Sequence, residues 1–210
     1  MIAVIAGATG LTGSKILRLL MDDPAFTRVI VITRSSLGFQ HPKVEERLIA
    51  DFSKLSDSVS IPAGATFFCA LGTTLKNAGS RAAFRAVDFD AVVQFGQLAK
   101  KSNARALLVI SATGASPDSQ IFYNRIKGET EQALRSLAIP STVILRPGLL
   151  IGDRKESRPA ERMGILIARA LPGGWIRRFA TEVDALAQKM VKEGKAPTPG
   201  VNVIEARDLD

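Results

Sequence analysis

Two groups of residues stand out for the chemistry their types and spacing allow. The first is Gly7-Ala8-Thr9-Gly10-Leu11-Thr12-Gly13, directly after the apolar run Ile2–Ala6. In that setting Gly7 allows a tight turn, Gly10 lets backbone approach a pyrophosphate, and Gly13 lets the following helix pack against the strand. Free N–H groups at the positive end of the helix would bind the phosphates. The second group is Ser111 with Tyr123-Asn124-Arg125-Ile126-Lys127. Tyr123 and Lys127 stand four apart, so on a helix they lie one above the other. They share the apolar face with Ile126, Ala133 and Leu134, while Arg125, Glu129, Gln132 and Arg135 point elsewhere. A nearby ammonium stabilises a phenolate, which lets the tyrosine give or take a proton as a hydride moves. Ser111 would hold the substrate oxygen, and Lys127 would also bind the nicotinamide ribose. The plainer readings are a glycine turn without a ligand, and a packed tyrosine beside a snorkelling lysine.

The choice of dinucleotide is read at the end of the second apolar run. A site for NAD places an acid about 20 residues beyond the glycines, on the ribose 2′-OH. Here that place holds Thr33-Arg34-Ser35-Ser36, and no acid occurs between Val29 and Lys43. Arg34 can pair with a 2′-phosphate and Ser35 can add a hydroxyl, which favours NADP(H) over NAD. Asp51 is placed to meet the adenine edge or, equally, to cap a helix.

These residues need elements to position them. Strand-like runs occur at Ile2–Ala6, Val29–Thr33, Arg47–Ala50, Ala65–Ala70, Ala106–Ser111, Ser141–Arg146 and Val201–Glu205. Several are apolar almost throughout, as in strands covered on both faces. Helix-like periodicity fills 13–22, 80–102 and 119–137, with further helices expected near 159–170 and 182–194. Thr181 and Asp184 stand in capping-box spacing at the start of the last. Alternation of this kind predicts an α/β, doubly wound, mostly parallel sheet. One dinucleotide-binding domain is expected over 1–210, with 149–178 as an irregular lid or substrate region.

With these pieces in place, the chain resembles the short-chain dehydrogenase/reductase superfamily, in its atypical, epimerase-like branch. Within that branch it is similar to the Tat-interactive oxidoreductase-like proteins. The resemblance rests on Gly7–Gly13, Asp51-Phe52, Ala70-Leu71-Gly72-Thr73-Thr74, Val87-Asp88, Ser111, Tyr123 with Lys127, and Arg146-Pro147-Gly148. It implies a seven-stranded sheet of order 3-2-1-4-5-6-7, NADP(H) in the crevice, and Ser111, Tyr123 and Lys127 as the catalytic triad. It also places Thr9, Leu11, Thr12, Arg34, Asp51, Leu71, Gly72 and Pro147 along the cofactor. Two departures matter. Asp88 stands where the superfamily often has an asparagine, which puts a relay through that residue in doubt. The stretch after Arg146 is too short for the large substrate portion of sugar-nucleotide epimerases.

Composition narrows the remaining classes. The chain has 210 residues, 46% of them apolar and 23% charged, enough for a substantial core. One cysteine, Cys69, and one histidine, His41, exclude an internal disulfide and Cys/His metal clusters. Trp175 is read as a packing residue. No apolar run is long enough to span a membrane, and with the lone cysteine and no basic leader the expected location is the cytoplasm. The net charge of +8 comes without a basic, aromatic-studded surface, so nucleic acid is not expected as a partner. The arginines and Lys155 between 154 and 178 suit an anionic small-molecule substrate or a solvated surface equally. The long helix 80–102 is read chiefly as core; related folds use it for dimer contacts, so a homodimer is one compatible assembly and the sequence does not fix the oligomeric state. Two rival functions remain: an NADP-holding scaffold or redox sensor acting through a protein partner, and a flavin-reductase-like enzyme that would not need Tyr123 and Lys127.

Overall fold

The computed structural model describes residues 1–151 and 180–209. Seven parallel strands form one sheet: β1 (Ile2–Ala6), β2 (Arg28–Thr33), β3 (Val44–Leu48), β4 (Thr66–Cys69), β5 (Ala106–Ile110), β6 (Ser141–Arg146) and β9 (Gly200–Glu205). Their order is β3-β2-β1-β4-β5-β6-β9. This is the expected doubly wound arrangement, with β9 in the seventh place. Two short strands, β7 (Leu149–Ile151) and β8 (Ala180–Glu182), pair parallel to each other outside that sheet.

The central strands are apolar on both faces because helices cover both faces. Ala3 and Ile5 of β1 and Phe68 of β4 face one core with Ile16, Leu17 and Leu20 of helix α1 (Leu11–Asp22). Val4, Ala6, Phe67 and Cys69 face the other core, with Val92, Phe95, Leu98 and Leu134. Alternate residues of each strand thus feed two separate cores. Edge strand β3 differs. It lies at 44–48 instead of the expected 47–50, and its side chains are half-buried or exposed. Glu45 there is held by Arg28 and Arg47, so charge pairing replaces the apolar signal.

Short helices α2 (Leu55–Ser58) and α3 (Leu75–Ala78) follow β3 and β4. The expected long helix at 80–102 is not uniform. Helix α4 (Arg81–Arg85) passes through a π-helical turn at Ala86–Asp90 into α5 (Ala91–Lys101). Helix α6 spans Phe122–Arg135, and helix α7 spans Val183–Lys195. The capping box expected at 181–184 does not form. Thr181 belongs to β8, and its hydroxyl accepts the Gly148 N–H at 3.0 Å, while Asp184 pairs with Lys15 at 3.0 Å. The second strand of a small pair recruits Thr181 before the helix can. The expected helix at 159–170, Trp175 and the basic residues from 154 to 178 lie outside the described residues.

Candidate active site

The glycine loop runs from β1 into α1 at the carboxyl edge of the sheet. Gly7 has φ +83°, and a Cβ there would lie 2.4 Å from the Ala70 carbonyl oxygen. A Cβ on Gly13 would lie 2.0 Å from the Gly7 oxygen. Both positions therefore exclude a side chain, the first through conformation and contact, the second through contact alone. Gly10 is the residue before the first turn of α1, and its N–H donates to the Gly7 oxygen at 3.0 Å. No side chain caps α1, and its first turn carries no acid. The leading N–H groups and the positive helix end are thus left to an anion. A bare-backbone cradle of this kind fits the pyrophosphate of a dinucleotide. Gly7, Gly10 and Gly13 hold its shape, and Thr9, Leu11 and Thr12 line the turn.

Arg34 and Ser35 follow β2 directly, and both are exposed. Thr33, the last residue of β2, donates its hydroxyl to the Ser35 carbonyl at 2.8 Å and shapes that corner. Asp51 caps the short turn Phe52–Lys54, accepting the Ser53 N–H at 2.9 Å. The Ser53 hydrogen bonds hold the Asp51 carboxyl below the usual carboxylate range. Of the two roles read for Asp51, the cap is the one this geometry contains.

Tyr123 and Lys127 stand on α6, as their spacing requires. The Tyr123 ring is half-buried and packs against Phe84 at a centroid distance of 5.6 Å. Lys127 Nζ lies 6.0 Å from the Tyr123 ring centroid. The lysine does not snorkel to water: it is 5% exposed, and its Nζ meets Asp88 Oδ1 at 2.7 Å. Burial pushes the ammonium toward the neutral form, but the Asp88 carboxylate outweighs burial and holds its pKa above the ordinary lysine value. Gly72, after β4, approaches this pair, and Leu71 beside it packs against the apolar core. A Cβ on Gly72 would be 3.4 Å from Asp88 Oδ1 and 3.8 Å from Lys127 Nζ.

Ser111 directly follows β5 and has an interior partner. It is buried, and its hydroxyl donates to Glu131 Oε1 at 2.5 Å. Glu131 also accepts from Arg146 Nε at 2.9 Å and Nη2 at 2.7 Å, and Arg146 reaches Glu205 Oε1 at 3.0 Å. The Glu131 hydrogen bonds hold the Arg146 pKa above its already high ordinary value. The Ser111 proton is thus committed to an interior carboxylate. Thr113, two residues on, is exposed and donates to the Arg146 carbonyl at 3.1 Å. The Thr113 N–H donates to the Pro147 carbonyl at 2.9 Å, tying the ends of β5 and β6 together beside the crevice. Sequence reasoning missed Glu131. The available signal was its place four residues after Lys127 on the same inward face.

The chain matches the NAD dependent epimerase/dehydratase family over residues 3–184. The chain belongs to this family. Among curated relatives, the mitochondrial protein fmp52 of Emericella nidulans is 34% identical over 90% of this chain and 85% of its own length. HTATIP2 of Rattus norvegicus is 32% identical over 93% of this chain and 82% of its own length. The fold is shared with MoeE5 in complex with UDP-glucose and NAD, at TM-score 0.73 and 16% identity, over 98% of this chain and 75% of that one. It is also shared with human epimerase family protein SDR39U1 with NADPH, at TM-score 0.67 and 16% identity, over 97% and 74%. The family is described as NAD dependent and the shared fold is of Rossmann type, in keeping with the bare-backbone cradle at Gly7–Gly13. The expected cytoplasmic location is corrected by these relatives. The proteins of Emericella nidulans, Lodderomyces elongisporus and Coccidioides immitis are all named mitochondrial. Among the described residues, no helix is long and apolar enough to cross a membrane.

Proposed function

We propose that this protein is an NADP(H)-dependent oxidoreductase of short-chain dehydrogenase type, acting on a small carbonyl compound or alcohol. The observation that carries this reading is the pairing of Tyr123 with a buried, charged Lys127 on one face of α6. When bound, the nicotinamide supplies or accepts a hydride. Tyr123 gives a proton to the carbonyl oxygen in reduction and takes it back in oxidation. Lys127 keeps a positive charge beside the phenol and offers a donor to the ribose. The exposed Arg34 and Ser35 meet the 2′-phosphate, and Gly7–Gly13 with Thr9, Leu11 and Thr12 hold the pyrophosphate. Ser111 serves the site by fixing Glu131 and the end of β5.

The test is a screen of carbonyl substrates that follows NADPH absorbance. On any substrate found, Tyr123→Phe should lower kcat by about a hundredfold or more, the ordinary worth of positioned acid–base catalysis. Unchanged turnover would remove Tyr123 from the reaction. In parallel, Arg34→Ala should weaken NADPH binding about tenfold, equal to about 1.4 kcal/mol, and leave NADH binding unchanged. Equal losses for both dinucleotides would remove the 2′-phosphate contact.

A further inference from the structure

We propose that Asp88 is a positioning residue of this site: one carboxylate oxygen clamps Lys127 Nζ while the other holds the Thr73 N–H, so that the loop after β4 and helix α6 are fixed as one unit. The proposal rests on the reading above that Lys127 serves a bound dinucleotide. The contacts are short and shielded. Lys127 Nζ to Asp88 Oδ1 is 2.7 Å, Thr73 N to Asp88 Oδ2 is 2.8 Å, and Asp88 is 1% exposed. A Cβ placed on Gly72 would come within van der Waals reach of both charges.

Local structure shows how Asp88 gets there. It lies within the π-helical turn Ala86–Asp90, where an extra residue in the turn changes which side chains face inward. Such turns concentrate at functional sites. The Thr130 hydroxyl on α6 lies 3.0 Å from the Asp88 carbonyl oxygen, so α6 meets both the side chain and the backbone of this residue.

Stability alone is a poor reason to bury the pair. Desolvating two charges offsets most of their attraction, and an apolar pair of similar volume would serve folding as well. A charged lysine of fixed orientation is what an apolar pair cannot supply. The other titratable groups around Lys127 are Tyr123 and Glu131 on its own helix, Glu131 lining the same small cavity but committed to Ser111 and Arg146, and Cys69 on β4, whose thiol burial pushes up to about 12 and keeps neutral. Asp88 is the carboxylate in direct contact with the buried ammonium, at 2.7 Å. Oδ2 accepts the Thr73 N–H and Oδ1 lies in ion-pair contact with Lys127 Nζ, so Asp88 acts through those two groups.

The test is Asp88→Asn, an isosteric change that turns an amide donor or a neutral oxygen toward Lys127. In the cofactor-free protein, the Lys127 ionisation is followed by NMR with 13C-labelled lysine. Wild type should stay protonated past the ordinary lysine value of about 10.4, and the variant should deprotonate at least tenfold more readily. In the NADPH-binding assay, wild-type affinity should be flat from pH 7.5 to pH 9, above the second ionisation of the 2′-phosphate at about pH 6. The variant should bind more weakly, with the deficit growing as pH rises. A double variant, Asp88→Asn with Lys127→Met, should recover thermal stability relative to Asp88→Asn, which separates folding from positioning. Identical lysine titrations in the two proteins would overturn the clamp. So would an affinity loss of the same factor at every pH, the signature of a purely structural role. If wild type binds no NADPH at all, the cofactor reading falls, and the positioning role falls with it. The lysine titration then still reports whether Asp88 sets the charge of Lys127.

Discussion

Glu131 offers a demanding test of how this site is held together. Its side chain is 5% exposed and serves three donors: Ser111 Oγ at 2.5 Å, Arg146 Nε at 2.9 Å and Arg146 Nη2 at 2.7 Å. Glu131→Gln keeps the volume but replaces one accepting oxygen with an NH2 group. Arg146 donates to both Glu131 oxygens, so in either orientation that NH2 group faces an Arg146 N–H donor to donor and at least one charge-assisted hydrogen bond is lost. Such a bond is worth about 1.5–3 kcal/mol, and leaving a buried donor unpaired adds to this. Arg146 retains Glu205, which limits the damage. The expected cost is about 3 kcal/mol, at the lower end of what breaking a buried pair costs. For a chain of this size that lowers Tm by about 6–12 °C. Thermal unfolding followed by circular dichroism, with urea unfolding as a second measure, gives the number. The control is Glu205→Gln, which removes the more exposed arm of the same network and should cost about 1 kcal/mol or less. If Glu131→Gln costs no more than Glu205→Gln, then burial does not set the worth of these contacts and the reasoning fails.

Two other outcomes follow from the interior charges. The Lys127 pKa is raised on folding, so its pairing with Asp88 stabilises fully below the unfolded value of about 10.4 and is lost as pH rises through the folded value. The Tm gap between wild type and Asp88→Asn should therefore be widest near neutral pH and should narrow above about pH 10; a gap unchanged up to pH 11 would contradict this. Cys69 is fully buried and its thiol is pushed up to about 12, so a disulfide reagent at pH 8 should leave the native protein unlabelled and react with one thiol in urea. Rapid labelling of the native protein would show that β4 is more open than its packing implies.

Much of this architecture was legible because its signals are local. A run such as Ile2–Ala6, apolar on both faces, can only be a strand covered twice. Glycines at 7, 10 and 13 after such a run leave few alternatives to a strand–turn–helix cradle. Tyr123 and Lys127 were placed on one face by helical geometry alone. The misreadings occur where the signal is not local. Strand β3 carries its pairing in Glu45, Arg28 and Arg47, so apolarity pointed three residues too late. Thr181 has the sequence of a helix cap, but strand β7 brings Gly148 to it first.

The amino-acid sequence by itself therefore determined the doubly wound fold, the family, the phosphate cradle and the inward Tyr123–Lys127 pair. Periodicity and backbone sterics suffice for the fold, the glycine turn and the inward pair, while the family was legible only through the resemblance of its motifs. Only the tertiary structure decided what those side chains touch. It gave Ser111 a partner in Glu131, and it gave Lys127 a buried carboxylate partner in Asp88. Those partners come from elements 20 and 39 residues away (131 − 111 and 127 − 88). In a low-dielectric interior a charge must find its counter-charge wherever the fold brings one, and sequence spacing carries no record of that meeting.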